Sequence, residues 1–473
     1  MRLPAHAFRE YDIRGVADRD LTDDVARGIG RGFGTMIGAG ANGGRVRVAV
    51  GRDCRVSSER LFAALVDGLL AAGAHVVDVG VGPTPMLYAS VHALGTEGGV
   101  MITGSHNPGD ENGFKMMRGK ASFFGGDIQS LRKVIEEERY SRAVPSLAGE
   151  AQRGSVERVD MQARYVEMVT SGIHLERNDL RFVLDAGNGA GGPLGVAAMR
   201  KLGLAPDCLY CEMDGRFPNH HPDPTVPKNL DALVARVKAT GARVGLAYDG
   251  DADRLGAVDA DGDIVWGDRL MILFSRALLA DKPGAAILGE VKCSQTLYDD
   301  IAKHGGRPIL WKTGHSLIKT KMKEEGALLA GEMSGHLFFA DRYFGYDDAI
   351  YASLRLLEIL ARDPRSIAEM LADVPRTYAT PEIRVDCPDA VKFDVVAAVR
   401  SHYRGLGLPV VDIDGARISF GSERDPAWGL VRASNTGPVL VMRFEATTPE
   451  RRDAIHAEVE GVVTAARARL GAA

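Results

Sequence analysis

Three carboxylates alternate in GLAYDGDADRLG, where Asp249, Asp251 and Asp253 follow the apolar run Val244 to Ala247. The run predicts a strand, and a spacing of two lets the three side chains converge on one hard cation if the loop at its end curls. Oxygen-only ligation of this kind suits Mg2+. An EF-hand is excluded, because Arg254 and Ala260 stand where that loop needs Gly at its sixth position and an acid at its twelfth. Three close acids repel one another unless a cation joins them. Asp259, Asp261 and Asp263 also alternate, but they flank Gly262 and read as hairpin-turn residues.

A hydroxyl is the second candidate. In GVMITGSHNPGDENGFKMM, Val100 to Thr103 read as a short buried strand and Gly104 to Gly109 as a turn. On spacing alone Ser105 is either a turn residue or a nucleophile. It is not in G-x-S-x-G, so an esterase elbow is unsupported. Two further loops suit polar ligands. LAGEMSGHLFF places Glu332, Ser334 and His336 between apolar flanks, offering acceptors and a hydroxyl to neighbouring sugar hydroxyls. LVRASNTGPVLVMRFEA puts Arg432, Ser434, Asn435, Thr436 and Gly437 between two strands, where a guanidinium fork, hydroxyls and backbone N–H groups can grip one phosphate. Against these stands LDAGNGAGGPLG, in which Gly187, Gly189 and Gly192 fit G-x-G-x-x-G, with Glu212 roughly twenty residues on. That loop is either a dinucleotide site or a turn whose glycines permit close packing.

The elements that must position these loops repeat one grammar. RVRVAVGRDCRVSSERLFAALVDGLLAAGAHVVDVG reads as strand, polar loop, amphipathic helix and strand, with Ser57 or Ser58 as helix N-cap. LRFVLDAGNGAGGPLGVAAMRKLG and AAILGEVKCSQTLYDDIAKHGGRPIL begin two more such units. Alternating β and α elements imply right-handed crossovers and mixed, mostly parallel sheets, so three α/β domains follow one another. The last segment has short strands, a polar loop SFGSERDPAWG and a strand feeding a terminal helix, which reads as α+β. Breaks in RAVPSLAGEAQRGS, VDADGDIVWGD and ADVPRTYATPEIRV predict domains over 1–154, 155–262, 263–375 and 376–473.

Composition limits the partners. At 473 residues the chain is too long for one core, and 45% hydrophobic with 26% charged residues is ordinary for a soluble globular protein. A formal net charge of -5 argues against general nucleic-acid binding while leaving local basic pockets for small anions. Neither a secretory leader nor a membrane span is legible, and five scattered cysteines suit a reducing compartment, so a cytoplasmic enzyme is expected. Cys208 and Cys211 form a C-x-x-C without a second pair, and read as two semi-buried thiols on an apolar strand.

TGSHNPGDENGFK, DGDADR, GEMSGH and RASNTGP occur in the order and spacing of the α-D-phosphohexomutase superfamily. FREYDIRG, FPNHHPDP and WKTGHSLIKTKMKEEGALLAGEMSG resemble its bacterial phosphomannomutase/phosphoglucomutase branch, and the resemblance runs from Phe8 to the terminal helix. One departure is Ala252, where that branch has Gly; lying between ligands, it is expected to matter little.

The resemblance implies four domains around a central cleft, each giving one loop. Ser105 would be a phosphoserine that gives its phosphoryl group to a sugar phosphate and takes the other one back. Asp249, Asp251 and Asp253 would hold one Mg2+ per active site together with a phosphate oxygen of Ser105. Lys115 and Arg254 would offset the phosphoserine charge, His106 would orient the loop, and Lys115 or His315 would serve as general acid or base. Arg432, Ser434, Asn435 and Thr436 would cradle the phosphate not being transferred, with Tyr11, Arg14, Lys292 and His336 nearby, and Glu332 and Ser334 on the sugar hydroxyls. Small sugar phosphates of mannose and glucose are the expected partners, glucose 1,6-bisphosphate the activator, and no membrane, nucleic acid or obligate protein partner is expected. The amino sugar is disfavoured by Met333, where phosphoglucosamine mutases tend to have Gln. An oxidoreductase built on the glycine loop, a non-catalytic sugar-phosphate sensor and a phosphatase are the alternatives.

Overall fold

Gly98–Ile102 is buried at every position, as an apolar run bounded by turns requires of a strand inside a sheet. The computed structural model that contains it describes residues 3–38, 46–140, 154–422 and 425–471. The break expected in RAVPSLAGEAQRGS lies outside the described residues except for Gly154 and Ser155, as do two residues of SFGSERDPAWG. The chain forms two compact units, Met1–Leu270 with Ser334–Met370, and Met271–Met333 with Leu371–Ala473.

The first unit holds two mixed sheets. One has the strand order Ile13–Val16, Glu111–Arg118, Gly98–Ile102, Arg47–Arg52, His75–Val81 and Ser155–Arg158, with Ala121–Phe123 also on Glu111–Arg118. Its four central-to-edge strands from Gly98–Ile102 to Ser155–Arg158 are parallel, whereas Glu111–Arg118 returns antiparallel and so carries Lys115 back past the Ser105 turn. Helices Asp23–Gly38, Ser58–Ala71 and Gly126–Glu136 close one core with it, built from Leu21, Ile29, Phe33, Leu65, Val50 and Phe114. Ser57 stands at the N-cap of Ser58–Ala71, but its side chain caps nothing: Asn112 Nδ2 donates to both serine hydroxyls, and Ser58 donates to Asp53.

The second sheet runs Ile264–Val265, Leu255–Asp259, Val244–Tyr248, Phe182–Asp185 and Asp207–Leu209. Leu255–Asp259 and Ile264–Val265 form the expected hairpin, with Gly262 at a φ of 87°. The C-x-x-C expectation is corrected: the strand ends at Leu209, Cys208 is exposed, and only Cys211 is half-buried.

In the second unit Arg307–Trp311, Ala286–Glu290 and Leu329–Gly331 are parallel, with helices Gln295–Lys303 and His315–Glu325 between them in sequence. The C-terminal sheet is wholly antiparallel in its described pairings, Val439–Ala446 lying between Trp428–Ala433 and the short strands Tyr378–Ala379 and Ile383–Asp386. Helices Lys392–Gly405 and Pro449–Arg469 cover it over Val399, Tyr403, Leu440, Met442 and Val459, which is the expected α+β arrangement.

Candidate active site

Ser105 sits where Gly98–Ile102 ends, in a turn that gives it a φ of 51°. A side-chain-bearing residue in this left-handed region is strained by roughly 1–2 kcal/mol, so its surroundings must impose the conformation. Thr103 Oγ1 accepts from the Ser105 N–H at 2.9 Å, and the hydroxyl is buried at 1% exposure. Ser105 Oγ lies 3.1 Å from Asp249 Oδ2 and 3.1 Å from His106 Nδ1. Burial, and then the charges of Arg254, Arg14 and Lys115, push the His106 pKa well below the imidazole range. A neutral ring beside the hydroxyl results.

The acidic loop curls as its spacing suggested. Asp249 Oδ1 accepts the Asp253 and Arg254 N–H groups, both at 3.1 Å, and all three aspartates are fully buried. Lys115 Nζ donates to Asp251 Oδ2 at 2.7 Å and to Asp253 Oδ2 at 2.5 Å. Burial followed by the charges of Asp253 and Asp251 drives the Asp249 pKa well up. The triad can hold a metal ion, because its carboxylate oxygens converge within 4.8 Å of one another. Asp251 Oδ1 and Asp253 Oδ1 are buried with no hydrogen-bond partner among the described residues. Buried carboxylate oxygens left so are what a hard cation would satisfy. Ala252, expected to matter little, takes a φ of 55°, so its Cβ places roughly 1 kcal/mol of strain between two candidate ligands.

Arg254 Nε donates to His336 Nε2 at 2.9 Å, and His336 Nδ1 faces Asp347 Oδ2 at 3.0 Å. The backbone of Gly335 accepts from the Leu255 N–H, which fastens residues 334–336 to the strand after the acidic triad. Arg14 Nη1 donates to Asn107 Oδ1 at 2.9 Å and Nε to Asp12 at 2.7 Å, so this guanidinium also borders the Ser105 turn. Tyr11 is half-buried just before Asp12, and Ser334 is half-buried before Gly335. The first unit thus brings together Ser105, His106, Lys115, the three aspartates, Arg254, Arg14 and His336.

The glycine loop belongs to this assembly as packing. A Cβ on Gly189 would lie 2.7 Å from the Gly250 carbonyl oxygen, and one on Gly192 would lie 2.2 Å from that of Cys211. Ala190 N–H donates to the same Gly250 carbonyl at 2.9 Å. These glycines press the loop onto the acidic turn rather than leaving the opening that a pyrophosphate needs.

The second unit gathers the other candidates. Glu332 Oε1 accepts the Gly314 N–H at 3.0 Å, directly before His315, which opens its helix half-buried. Lys292 Nζ donates to Glu382 Oε2 at 3.0 Å, and that lysine is the main cause of a Glu382 pKa lowered to about 2. Arg432 Nε donates to Asp414 Oδ2 at 3.0 Å, and Asp414 also takes the Thr313 N–H at 3.0 Å. Ser434 Oγ accepts the Thr436 N–H at 3.2 Å, and Lys392 Nζ donates to the carbonyls of Ser434 (2.6 Å) and Gly437 (3.1 Å). Asn435 is half-buried and Thr436 exposed in this loop. Asp414, Lys392, Asp347 and Glu290, which accepts from Thr313 Oγ1 at 2.7 Å, were not legible as site residues.

Four family models match in chain order: phosphoglucomutase/phosphomannomutase α/β/α domain I over residues 5–142, domain II over 163–262, domain III over 266–378 and the C-terminal domain over 382–462. The chain is 46% identical over 453 residues to a Pseudomonas aeruginosa phosphomannomutase/phosphoglucomutase, covering 96% of this chain and 94% of that one. It is 42% identical over 460 residues to a Neisseria gonorrhoeae phosphoglucomutase, covering 96% of each. A crystal structure of a Burkholderia thailandensis phosphoglucomutase/phosphomannomutase family protein superposes with a TM-score of 0.89 at 42% identity, over 98% of both chains.

Proposed function

The chain belongs to the phosphoglucomutase/phosphomannomutase family, and from that premise we propose that Ser105 is its phosphoryl carrier. As an isomerase-class phosphotransferase it interconverts hexose 1- and 6-phosphates. The observation that carries the proposal is the Ser105 hydroxyl 3.1 Å from Asp249, in a buried triad that Lys115 already bridges. Phosphoryl transfer asks for alignment and charge neutralisation more than for covalent help, and this arrangement offers both.

In the first half-reaction the Oγ–P bond of phospho-Ser105 breaks as a P–O bond forms to the free hydroxyl of the sugar phosphate, whose proton is taken by the general base and returned to the leaving Ser105 Oγ. A hexose 1,6-bisphosphate and an unmodified Ser105 result. After the sugar turns end over end, Ser105 Oγ takes the other phosphoryl group and the alkoxide leaving group regains a proton. Ser105, Asp249, Asp251 and Asp253 would hold one Mg2+, which supplies charge stabilisation to the transferring phosphoryl group. The Lys115 ammonium and the Arg254 guanidinium offset the dianion. His106 orients the Ser105 loop, and the general acid/base duty falls to Lys115 or His315.

Arg432, Ser434, Asn435 and Thr436 grip the phosphate not being transferred, with Lys292, Tyr11, Arg14 and His336 as further polar contacts. Arg432→Ala removes a charge-assisted, two-pronged contact made in both orientations. It should raise KM and also lower kcat, for a fall of roughly ten- to a hundredfold in kcat/KM. Steady-state kinetics with glucose 1-phosphate check this, and unchanged constants would move the phosphate grip elsewhere.

Glu332 and Ser334 bind the 3- and 4-hydroxyls, which exchange places when the sugar turns over, so the 2-hydroxyl goes unread. Glucose and mannose 1-phosphates should therefore give kcat/KM values within about tenfold, a gap of ~1.4 kcal/mol. Glucose 1,6-bisphosphate should activate by rephosphorylating Ser105 whenever the intermediate escapes. A side-by-side assay of glucose, mannose and glucosamine 1-phosphates tests the sugar reading; strong preference for glucosamine would overturn it. Five free thiols agree with a reducing cytoplasm as the place of reaction, and no helix among the described residues is long and apolar enough to cross a membrane.

A further inference from the structure

Arg55 takes no part in the reaction just described, yet its guanidinium is wholly buried against the turn that carries Ser105. Nη2 donates to the carbonyl oxygens of Ser105 and Asn107, both at 2.7 Å, and Nη1 to those of Pro108 (2.5 Å) and Glu111 (2.9 Å). Four carbonyls, three in the turn and one at the start of the strand Glu111–Arg118, are gathered by one planar fork. Asp53 holds the fork from behind. Its Oδ2 lies 3.2 Å from Arg55 Nε and accepts the Gly104 N–H at 3.3 Å, while its Oδ1 accepts the Arg55 N–H at 3.0 Å and the Ser58 hydroxyl at 2.5 Å.

The space around the fork is equally specified. A Cβ on Gly104 would lie 2.6 Å from the guanidinium carbon, so the residue before the nucleophile must be glycine for the fork to reach. The Phe217 ring covers the guanidinium at 5.1 Å, and a Cβ on Gly250, inside the acidic loop, would lie 2.3 Å from the Ser105 carbonyl oxygen that Arg55 grips. The Ser105 carbonyl is thereby wedged between Arg55 and the loop that carries the three aspartates. A left-handed φ at Ser105 persists only where its surroundings fix it, and these contacts do so.

We infer that Arg55 is the positioning residue of the phosphoryl-transfer step: it fixes the Ser105 turn against the acidic loop and so aligns Oγ, a role that rests on the reading of Ser105 as the carrier. Arg55→Lys keeps the charge, but one ammonium cannot reach four carbonyls spread over the turn. Because no substrate-binding residue is altered, kcat should fall about thirty- to a hundredfold with KM for glucose 1-phosphate within about threefold. The fraction of Ser105 that glucose 1,6-bisphosphate can phosphorylate in a fixed time, read by intact mass, should fall in parallel. Asp53→Asn, which leaves the fork in place and removes its countercharge, should show a smaller fall of the same kind.

A folded Arg55→Lys protein with kcat within twofold of the parent, or with only KM raised, overturns the inference. Should Arg55→Lys fail to fold, Asp53→Asn decides, and an unchanged kcat there overturns it as well. Ser105→Ala assayed in the same series separates the two ideas. Activity retained in Ser105→Ala removes the carrier reading, whereas an inactive Ser105→Ala beside a fully active Arg55→Lys removes only the role of Arg55.

Discussion

Ser105→Ala lowers kcat by about a thousandfold or more while the fold survives. The substitution deletes the atom that forms and breaks the bond to phosphorus, and each tenfold of rate is ~1.4 kcal/mol of barrier that the remaining binding groups cannot supply. The hydroxyl contributes little to stability. It gives up hydrogen bonds to Asp249 and His106, while the N–H bond to Thr103 and the carbonyl bond to Arg55 involve backbone and remain. Alanine at a φ of 51° is no more strained than serine in backbone terms. Circular dichroism and thermal melting of the variant should match the parent while mutase activity disappears; residual activity above about a tenth of the parent would assign the carrier to another group.

Asp251→Asn should weaken Mg2+ binding and cut activity roughly a hundredfold. One carboxylate of three is neutralised where phosphate charge accumulates, and the amide cannot replace a hard anionic ligand. Two features sharpen the expectation. Asp251 Oδ1 is a buried oxygen with no hydrogen-bond partner among the described residues, and Asp251 Oδ2 accepts from both Lys115 (2.7 Å) and Thr84 Oγ1 (2.5 Å). The asparagine amide oxygen can take the Oδ2 position and keep both donors, which puts the amide nitrogen, a donor, where Oδ1 would face the cation, so the variant loses a ligand and its charge. A Mg2+ titration of activity, with the half-saturating concentration raised at least about tenfold, checks the metal role. Full activity of the parent after exhaustive chelation would contradict it.

The chemistry-bearing loops were legible because their residues are consecutive. Alternating carboxylates after an apolar strand, a glycine-flanked hydroxyl and a run of Arg, Ser, Asn and Thr each state their type within a few positions. What fixes those loops was not legible, because it arrives from far along the chain. Arg55 lies 50 residues before Ser105, and Lys392 lies 42 before the Ser434 carbonyl it grips. Both act on backbone carbonyls, and a carbonyl leaves no residue-type signal in a sequence. The same limit hides two local details: Asn112, 55 residues on, donates to the hydroxyl of the N-cap residue Ser57, and the positive φ of Ala252 cannot be read from spacing. The glycine loop matched a dinucleotide pattern since close backbone approach needs glycine whether the neighbour is a phosphate or, as here, the Gly250 carbonyl.

Ser105 as carrier of the phosphoryl group is best tested by intact-mass spectrometry with peptide mapping. Purified protein is incubated with glucose 1,6-bisphosphate and Mg2+, desalted, and then chased with glucose 1-phosphate. One phosphoryl group should be added per chain, mapped to the peptide containing Ser105 and lost in the chase as bisphosphate appears. A phosphoryl group mapped to any other residue, or turnover at full rate with no phosphorylated chain at any time, would contradict it.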